Sequence, residues 1–309
     1  MTGDRPILGI LLMLGFCLLA PLGDAVAKLL GDSLPIVEVV FFRFGLQALV
    51  LIPLIWASGR AWRMSGRVLR LTFLRTLLHI LGIAAMFTAL RYLPLADAVA
   101  IAFVMPFFML LLGHYFLHEV VGMRRFLACC VGFVGTLCVV QPSFVEVGWP
   151  ALLPVGVAVN FALFMLVTRQ IAKETDPIGL QAVSGVMAVA LMAPLVLLLP
   201  VTGGAPLVAF TLGPYHWGLL AAIGLLGTFA HLLMTWSLRY APSATLAPMQ
   251  YLEIPIATLL GFLIFQELPD RLAAFGILLT VSAGLYIIWR EQAMARRPRA
   301  LPVEPPQAA

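Results

Sequence analysis

Apolar residues in this chain run in continuous blocks, with charged and turn-forming residues collected between them. The blocks show neither the alternation of a half-buried strand nor the narrow apolar stripe of a surface helix. A helix that crosses the hydrocarbon of a bilayer needs about 20 apolar residues. Blocks of that size predict ten spanning helices, at residues 7–29, 36–56, 71–90, 95–117, 126–141, 151–168, 178–199, 216–237, 245–265 and 272–289. The connections are short; the longest are the arginine-rich stretch 58–70 and the Pro/Gly-rich stretch 200–214. Residues 290–309 are polar and Pro-rich, which predicts a disordered cytoplasmic tail. The first block also has the look of a secretory signal core, with Ala25-Val26-Ala27 in the place of a cleavage site. That block is longer than such a core, and Asp24 and Lys28 flank the site, so it reads as the first span.

Composition supports lipid as the solvent. Of 309 residues, 62% are hydrophobic and 11% charged, and the mean hydropathy is +1.05. A soluble domain carries about 25% charged residues and could not hide this much apolar surface in one core. The net charge of +5 forms no continuous basic stripe, which argues against a nucleic-acid partner. It follows the membrane instead. With the N-terminus in the cytoplasm, fourteen of the nineteen Lys and Arg residues fall in cytoplasmic segments, while the opposite side holds Arg91 and Arg271. The expectation is a multi-pass protein of the bacterial inner membrane with both termini cytoplasmic. The four cysteines, Cys17, Cys129, Cys130 and Cys138, lie in apolar runs without ligand spacing and read as small buried hydrophobes.

The chain repeats itself with a period near 148 residues. ALRYLPLADA at 89–98 matches SLRYAPSATL at 237–246. Pro106 and Pro255 follow near the middles of the fourth and ninth blocks, and FLHE at 116–119 answers IFQE at 264–267. An odd number of spans per copy inverts the second copy, and the charges agree: Arg91 falls outside and Arg239 inside, Glu119 inside and Glu267 outside. Residues 1–141 and 151–289 are therefore expected to be two inverted five-helix repeats, with a site near the midplane between them. A proline inside a helix frees a carbonyl four residues earlier, and at membrane depth that is tolerable only against protein or a watered cavity. Pro106 and Pro255 are thus expected to be helix bends, and candidate gates.

GDAVAKLL at 23–30, VVFFRF at 39–44, ALRYLPLADAVAI at 89–101, the two prolines, and Glu119 with Glu267 together resemble the drug/metabolite transporter superfamily, in its EamA-type form with two five-helix repeats. The resemblance covers about residues 7–289. It implies an all-α fold with a central cavity lined by spans one, three, four, six, eight and nine. It also implies transport of metabolites such as amino acids, nucleosides, vitamins or S-adenosylmethionine-like compounds. LRTLLH at 74–79 and the basic segment before it resemble a bacterial subgroup containing proposed S-adenosylmethionine and riboflavin permeases.

Ionisable side chains at bilayer depth cost a few kcal/mol and face a partner or a cavity. His79, Asn160 and Glu253 fall near the middles of their spans, and His231 in the inner part of span eight. Gln250 lies one turn from Glu253, and Arg75 one turn from His79. Arg75, His79, Asn160, His231, Gln250 and Glu253 are the expected substrate path, against the plainer reading of these groups as glue between helices. Glu253 is in addition the candidate proton carrier. Arg43 is expected to pair structurally with Asp24 or Glu38, while Lys28, Glu38 and Asp97 lie close enough to the outer interface to reach headgroups or water. His114, His118 and Glu119 lack a third ligand, so no metal site is expected.

No HExxH, GxSxG, P-loop or diphosphate-binding motif is present, which weighs against a membrane-embedded enzyme acting on a lipid-like substrate; no filter or pore-helix motif suggests a channel. The expected function is a secondary transporter of a small metabolite, without cofactor. It would work by alternating access, driven by protons, a counter-substrate or the substrate gradient, as a monomer or weak homodimer in the bilayer.

Overall fold

The computed structural model describes residues 5–105, 107–108, 111–112, 123–198, 208–241 and 246–295, and the structural statements below refer to these. The described residues hold α- and 3₁₀-helices and no strand. The α-helices are α1 (Pro6–Leu30), α2 (Ile36–Ser58), α3 (Gly66–Ala89), α4 (Leu95–Ala102), α5 (Met123–Val147), α6 (Leu153–Ile171), α7 (Pro177–Leu198), α8 (Pro214–Tyr240), α9 (Glu253–Phe265) and α10 (Arg271–Ala295). Among them, α1, α2, α3, α5, α6, α7 and α8 contain spans long and apolar enough to cross a bilayer. The apolar stretches Met249–Phe265 and Arg271–Tyr286 are shorter, and α4 leads into residues outside the described set. Leu49, Trp56, Leu197 and Trp289 stand exposed on the outer faces of their helices, where lipid tails are the matching solvent. The protein is an all-α polytopic membrane protein.

Helix pairing follows a rule. α1 packs along α8 and α3 along α6, while α2 lies against α7, α4 against α9, and α5 against α10. Taking helices five apart as counterparts, the first two pairings exchange when the halves are swapped, and the last three map onto themselves. This is the pattern that a twofold axis between the halves would give, because contacts across such an axis are reciprocal. At the α5–α10 crossing, the Thr280 hydroxyl donates to the Gly132 carbonyl at 3.4 Å, and the two residues are 148 apart. That separation is the repeat period.

The fourth and ninth spans are not plain helices. α4 stops at Ala102; Phe103 and Val104 form a turn, and the Phe107 N–H bonds back only three residues, to Val104. Pro106 itself lies outside the described residues. In the ninth span a 3₁₀ segment, Ala247–Leu252, precedes α9. Pro255 is then the third residue of α9, where its missing N–H would have no intrahelical acceptor, and it is exposed. The mid-helix bend expected at Pro255 is therefore a helix start, and the irregularity sits a turn earlier. Interior prolines occur instead at Pro21, Pro53, Pro142 and Pro194.

Two further expectations are corrected. α10 runs to Ala295, so residues 290–295 are helical rather than tail, as the good helix formers Arg, Glu, Gln, Ala and Met allow; residues 296–309 lie outside the described set. Glu38 and Asp97 do not reach water. Both are buried, and Asp97 accepts a hydrogen bond from the Ser143 hydroxyl, tying α4 to α5. Lys28 is also held by protein. Its ammonium lies 2.7 Å from Glu267 Oε1 and donates to the Leu93 carbonyl at 2.7 Å. Glu267 Oε2 in turn accepts the Leu95 N–H at the start of α4. Gln266, at φ 58, turns the chain after α9 through the left-handed region and so aims Glu267 back at α1 and α4. At the opposite end, Arg60 pairs with Asp176 and Arg67 with Glu174, both at 2.9 Å.

Candidate functional site

A cavity of about 130 Å³ lies at mid-depth where α1, α2, α3, α4, α6, α8, α9 and the 3₁₀ segment before α9 converge. Five of the six expected path residues line it: His79, Asn160, His231, Gln250 and Glu253. Asp24 and Arg43, which the sequence suggested for structural pairing, line it as well.

Arg43 is the centre of the polar wall. Its side chain is 2% exposed. Nη2 lies 3.3 Å from His79 Nε2 and 3.1 Å from His231 Nδ1, and the guanidinium stacks over the Phe44 ring at 4.5 Å. The donor there is the guanidinium, so His79 accepts through Nε2 and carries its proton on Nδ1. His231 Nδ1 also lies 2.9 Å from the Gly227 carbonyl; protonated, it serves that carbonyl, and bare, it accepts from Arg43. Gly227 makes the arrangement possible. A Cβ there would stand 2.7 Å from Arg43 Nε and 2.9 Å from Nη2, so a side chain at this position would push the guanidinium away from α8. Among the described residues no carboxylate lies within ion-pair distance of Arg43; Asp24 acts on it from further off.

The opposing wall is acidic. Glu253 begins α9 and feels the charge of Asp24 from α1. The Cys17 thiol, seven residues before Asp24 on α1, donates to the Met249 carbonyl at 3.5 Å and also interacts with Glu253. Gln250 sits buried beside them in the 3₁₀ segment. Asn160 donates to the Leu78 carbonyl at 2.7 Å, tying α6 to α3; its amide nitrogen fills the place a side chain at Gly82 would take.

Aromatic rings form the remaining wall. Phe16 and Phe161 stack with centroids 6.4 Å apart, Phe161 and Phe164 at 5.7 Å, and Phe164 reaches the His79 ring at 4.9 Å. The His79 and His231 rings lie 4.2 Å apart.

Arg75 does not line the cavity. It is fully buried, donates to Thr168 Oγ1 at 2.9 Å and Ser184 Oγ at 3.0 Å, and stacks on the far side of Phe164 at 4.6 Å. It joins α3 to α6 and α7. A second polar seam went unread in the sequence: Gln47 donates to the Gln181 carbonyl at 2.7 Å, and Gln181 to the His231 carbonyl at 3.0 Å. Among the described residues no three His, Cys, Asp or Glu side chains are placed to share a metal. His114, His118 and Glu119 lie outside that set.

A cavity among apolar helices, with charged groups from both halves of the chain and aromatic walls, is suited to holding a small organic solute. Comparison with known proteins gives the particular class. The EamA-like transporter family matches the chain twice, over residues 7–141 and 148–290. The protein belongs to the EamA-like transporter family, and it is a small-metabolite permease. It is 27% identical over 275 residues to an S-adenosylmethionine uptake transporter of Rickettsia felis, covering 89% of this chain and 90% of that one. It is 30% identical over 279 residues to a riboflavin transporter of Rhizobium johnstonii, covering 86% and 85%. A solved crystal structure superimposes with a TM-score of 0.64 at 17% identity, over 94% of this chain and 98% of that one, which speaks to the fold alone.

Proposed function

We propose that the protein carries its metabolite through the central cavity by alternating access, with residues 1–141 and 151–289 rocking as two inverted halves about it. The observation that carries this reading is the composition of the cavity wall. Arg43 and His79 come from the first half and His231 from the second; Asp24 comes from the first and Glu253 from the second. A site shared in this way is remade whenever the halves tilt, which is how a carrier exposes one site to either side in turn. The reciprocal helix pairing supports the inverted repeat.

The broken fourth and ninth spans are the hinges in this reading, and the Lys28–Glu267 pair with the Leu95 N–H closes one end of the cavity. The arginine-bearing end, with Arg60 and Arg67, faces the cytoplasm, as the positive-inside bias requires. S-adenosylmethionine and riboflavin, named for the relatives, are the first cargoes to test. Glu253, which lines the cavity together with Asp24, is the group through which protons would couple to movement. The test is counterflow into liposomes loaded with unlabelled S-adenosylmethionine or riboflavin. Accumulation of the labelled compound above equilibrium supports a carrier. Uptake that never exceeds equilibrium, at every loading, argues for a channel-like path.

A further inference from the structure

α3 has two faces. Thr72, Arg75, Thr76, His79 and Ile80 turn inward and are buried. Arg70, Phe73, Leu74, Leu77 and Leu81 recur at i, i+3, i+4, i+7 and i+11, which sets them in one row on the opposite side. Arg70 is exposed at the head of that row. Phe73, Leu74 and Leu81 are exposed along it, Leu81 at 60%, and Leu77 is half-buried. At ~1.5 Å per residue the row runs roughly 16 Å, the depth of one leaflet of a hydrocarbon core about 30 Å thick. A guanidinium above an apolar strip one leaflet long matches a single phospholipid, headgroup and chain.

The segment that leads into α3 adds to the head of the row. Gly59 and Gly66, at φ 61 and 54, turn the chain through the left-handed region at its two ends. Between them, the Ala61 carbonyl and Trp62 Cα lie where a Cβ on Gly179 would collide with them, so the segment rests on the start of α7. The four arginines of residues 58–70 are then divided. Arg60 is held by Asp176 and Arg67 by Glu174. Arg63 and Arg70 are exposed and have no carboxylate partner among the described residues; Arg63 stacks on the Trp62 ring at 5.7 Å. Trp56 and Trp62 are both exposed on this stretch, and tryptophan is the residue that settles at headgroup depth.

We propose that this corner of the molecule holds one anionic phospholipid, its phosphate against Arg63 and Arg70 and an acyl chain along Phe73, Leu74, Leu77 and Leu81. Charge selects the occupant. Two guanidinium groups without a carboxylate attract a headgroup of net negative charge, whereas a zwitterionic headgroup brings its own cation beside them. The site stands independently of the carrier reading. It touches that reading at one point, because the lipid grips the helix whose other face carries His79 into the cavity.

The test is native mass spectrometry of the full-length protein released from nanodiscs containing equal amounts of phosphatidylglycerol and phosphatidylcholine with identical chains. Wild-type protein retains phosphatidylglycerol over phosphatidylcholine by about fivefold to thirtyfold, the range for one to two basic residues at a charged membrane surface. Arg63→Gln/Arg70→Gln, changed only at exposed positions, loses that preference. Arg271→Gln, which removes an exposed charge at the opposite end, keeps it. Equal retention of the two lipids by the wild type overturns the proposal, as does retention of neither, or an equal loss in Arg271→Gln. The retained lipid withstands an excess of soluble glycerol 3-phosphate; displacement by it shows a site for the free anion and overturns the lipid reading. A lipid-free dimer does the same, by giving the face to a second copy.

Discussion

Replacing Gly227 by alanine is the sharpest perturbation of the site, because it adds one methyl group and touches no charge. That methyl would stand 2.7 Å from Arg43 Nε, 2.9 Å from Nη2 and 3.0 Å from Cζ. Ordinary contact lies near 3.5 Å, so the guanidinium must retreat from α8 by roughly 0.8 Å. It has little room. Phe44 stacks on it at 4.5 Å, and His79 meets Nη2 at 3.3 Å. The contact from Nη2 to His231, 3.1 Å in the wild type, then stretches beyond hydrogen-bond range. A hydrogen bond to a charged group is worth about 1.5–3 kcal/mol, while alanine in place of glycine inside a helix returns about 1 kcal/mol. The net loss of stability is therefore modest, about 0.5–2 kcal/mol. Substrate affinity should fall as well, because a charged group of the cavity wall has moved; a loss near 1.4 kcal/mol corresponds to about tenfold in KM. Thermal unfolding in detergent and initial-rate uptake in liposomes measure the two separately. Gly227→Ala protein with wild-type KM and normal unfolding would show that the guanidinium has slack and that its position does not set affinity.

Three other outcomes are expected. Arg75→Gln removes hydrogen bonds from α3 to α6 and α7, so it lowers unfolding stability by about 2–3 kcal/mol while leaving ligand affinity of the folded fraction unchanged; a raised dissociation constant would place Arg75 in the path after all. Lys28→Met and Glu267→Gln each lower stability, and the double mutant loses less than the two together, with a coupling of about 1 kcal/mol for a pair still 15% and 30% exposed; strict additivity would mean the pair is incidental. Glu253→Gln transports with its dependence on external pH flattened, read as uptake rate across a pH series in liposomes, and an unchanged profile removes Glu253 as the proton carrier.

Hydropathy and charge made the membrane class legible, because an apolar block needs no tertiary information to declare its solvent. The polar lining of the cavity was legible for a related reason. His79, Asn160, His231, Gln250 and Glu253 stand out in apolar surroundings, and all five line the cavity. Arg43 and Asp24 stood out equally, but sequence spacing suggested partners within the first two spans. The partners that matter for Arg43 are His79 and His231, and its place depends on Gly227 opening the face of α8, a fact of packing between helices far apart in the chain. Arg75 misled in the opposite direction. One turn separates it from His79 on α3, yet the cavity wall ends between them, and Thr168 and Ser184 take the guanidinium instead. Nothing in a one-dimensional pattern marks where a cavity stops.

The crossed helix pairing also sets a schedule for synthesis. Arg43 and Arg75 are both made and inserted with the first half, but His231, Thr168 and Ser184 belong to the second. His231 follows Arg43 by 188 residues, about 10–40 s of translation at 5–20 residues per second. Throughout that interval Arg75 sits in a nascent five-helix chain with Thr168 and Ser184 still unmade and Arg43 with His79 but not yet His231, and α1 and α3 wait for α8 and α6. The first half is thus a lodger of the insertion machinery until the second arrives. Strains with weakened insertase or membrane quality control should reveal this chain's assembly defects at that stage, before any defect in transport.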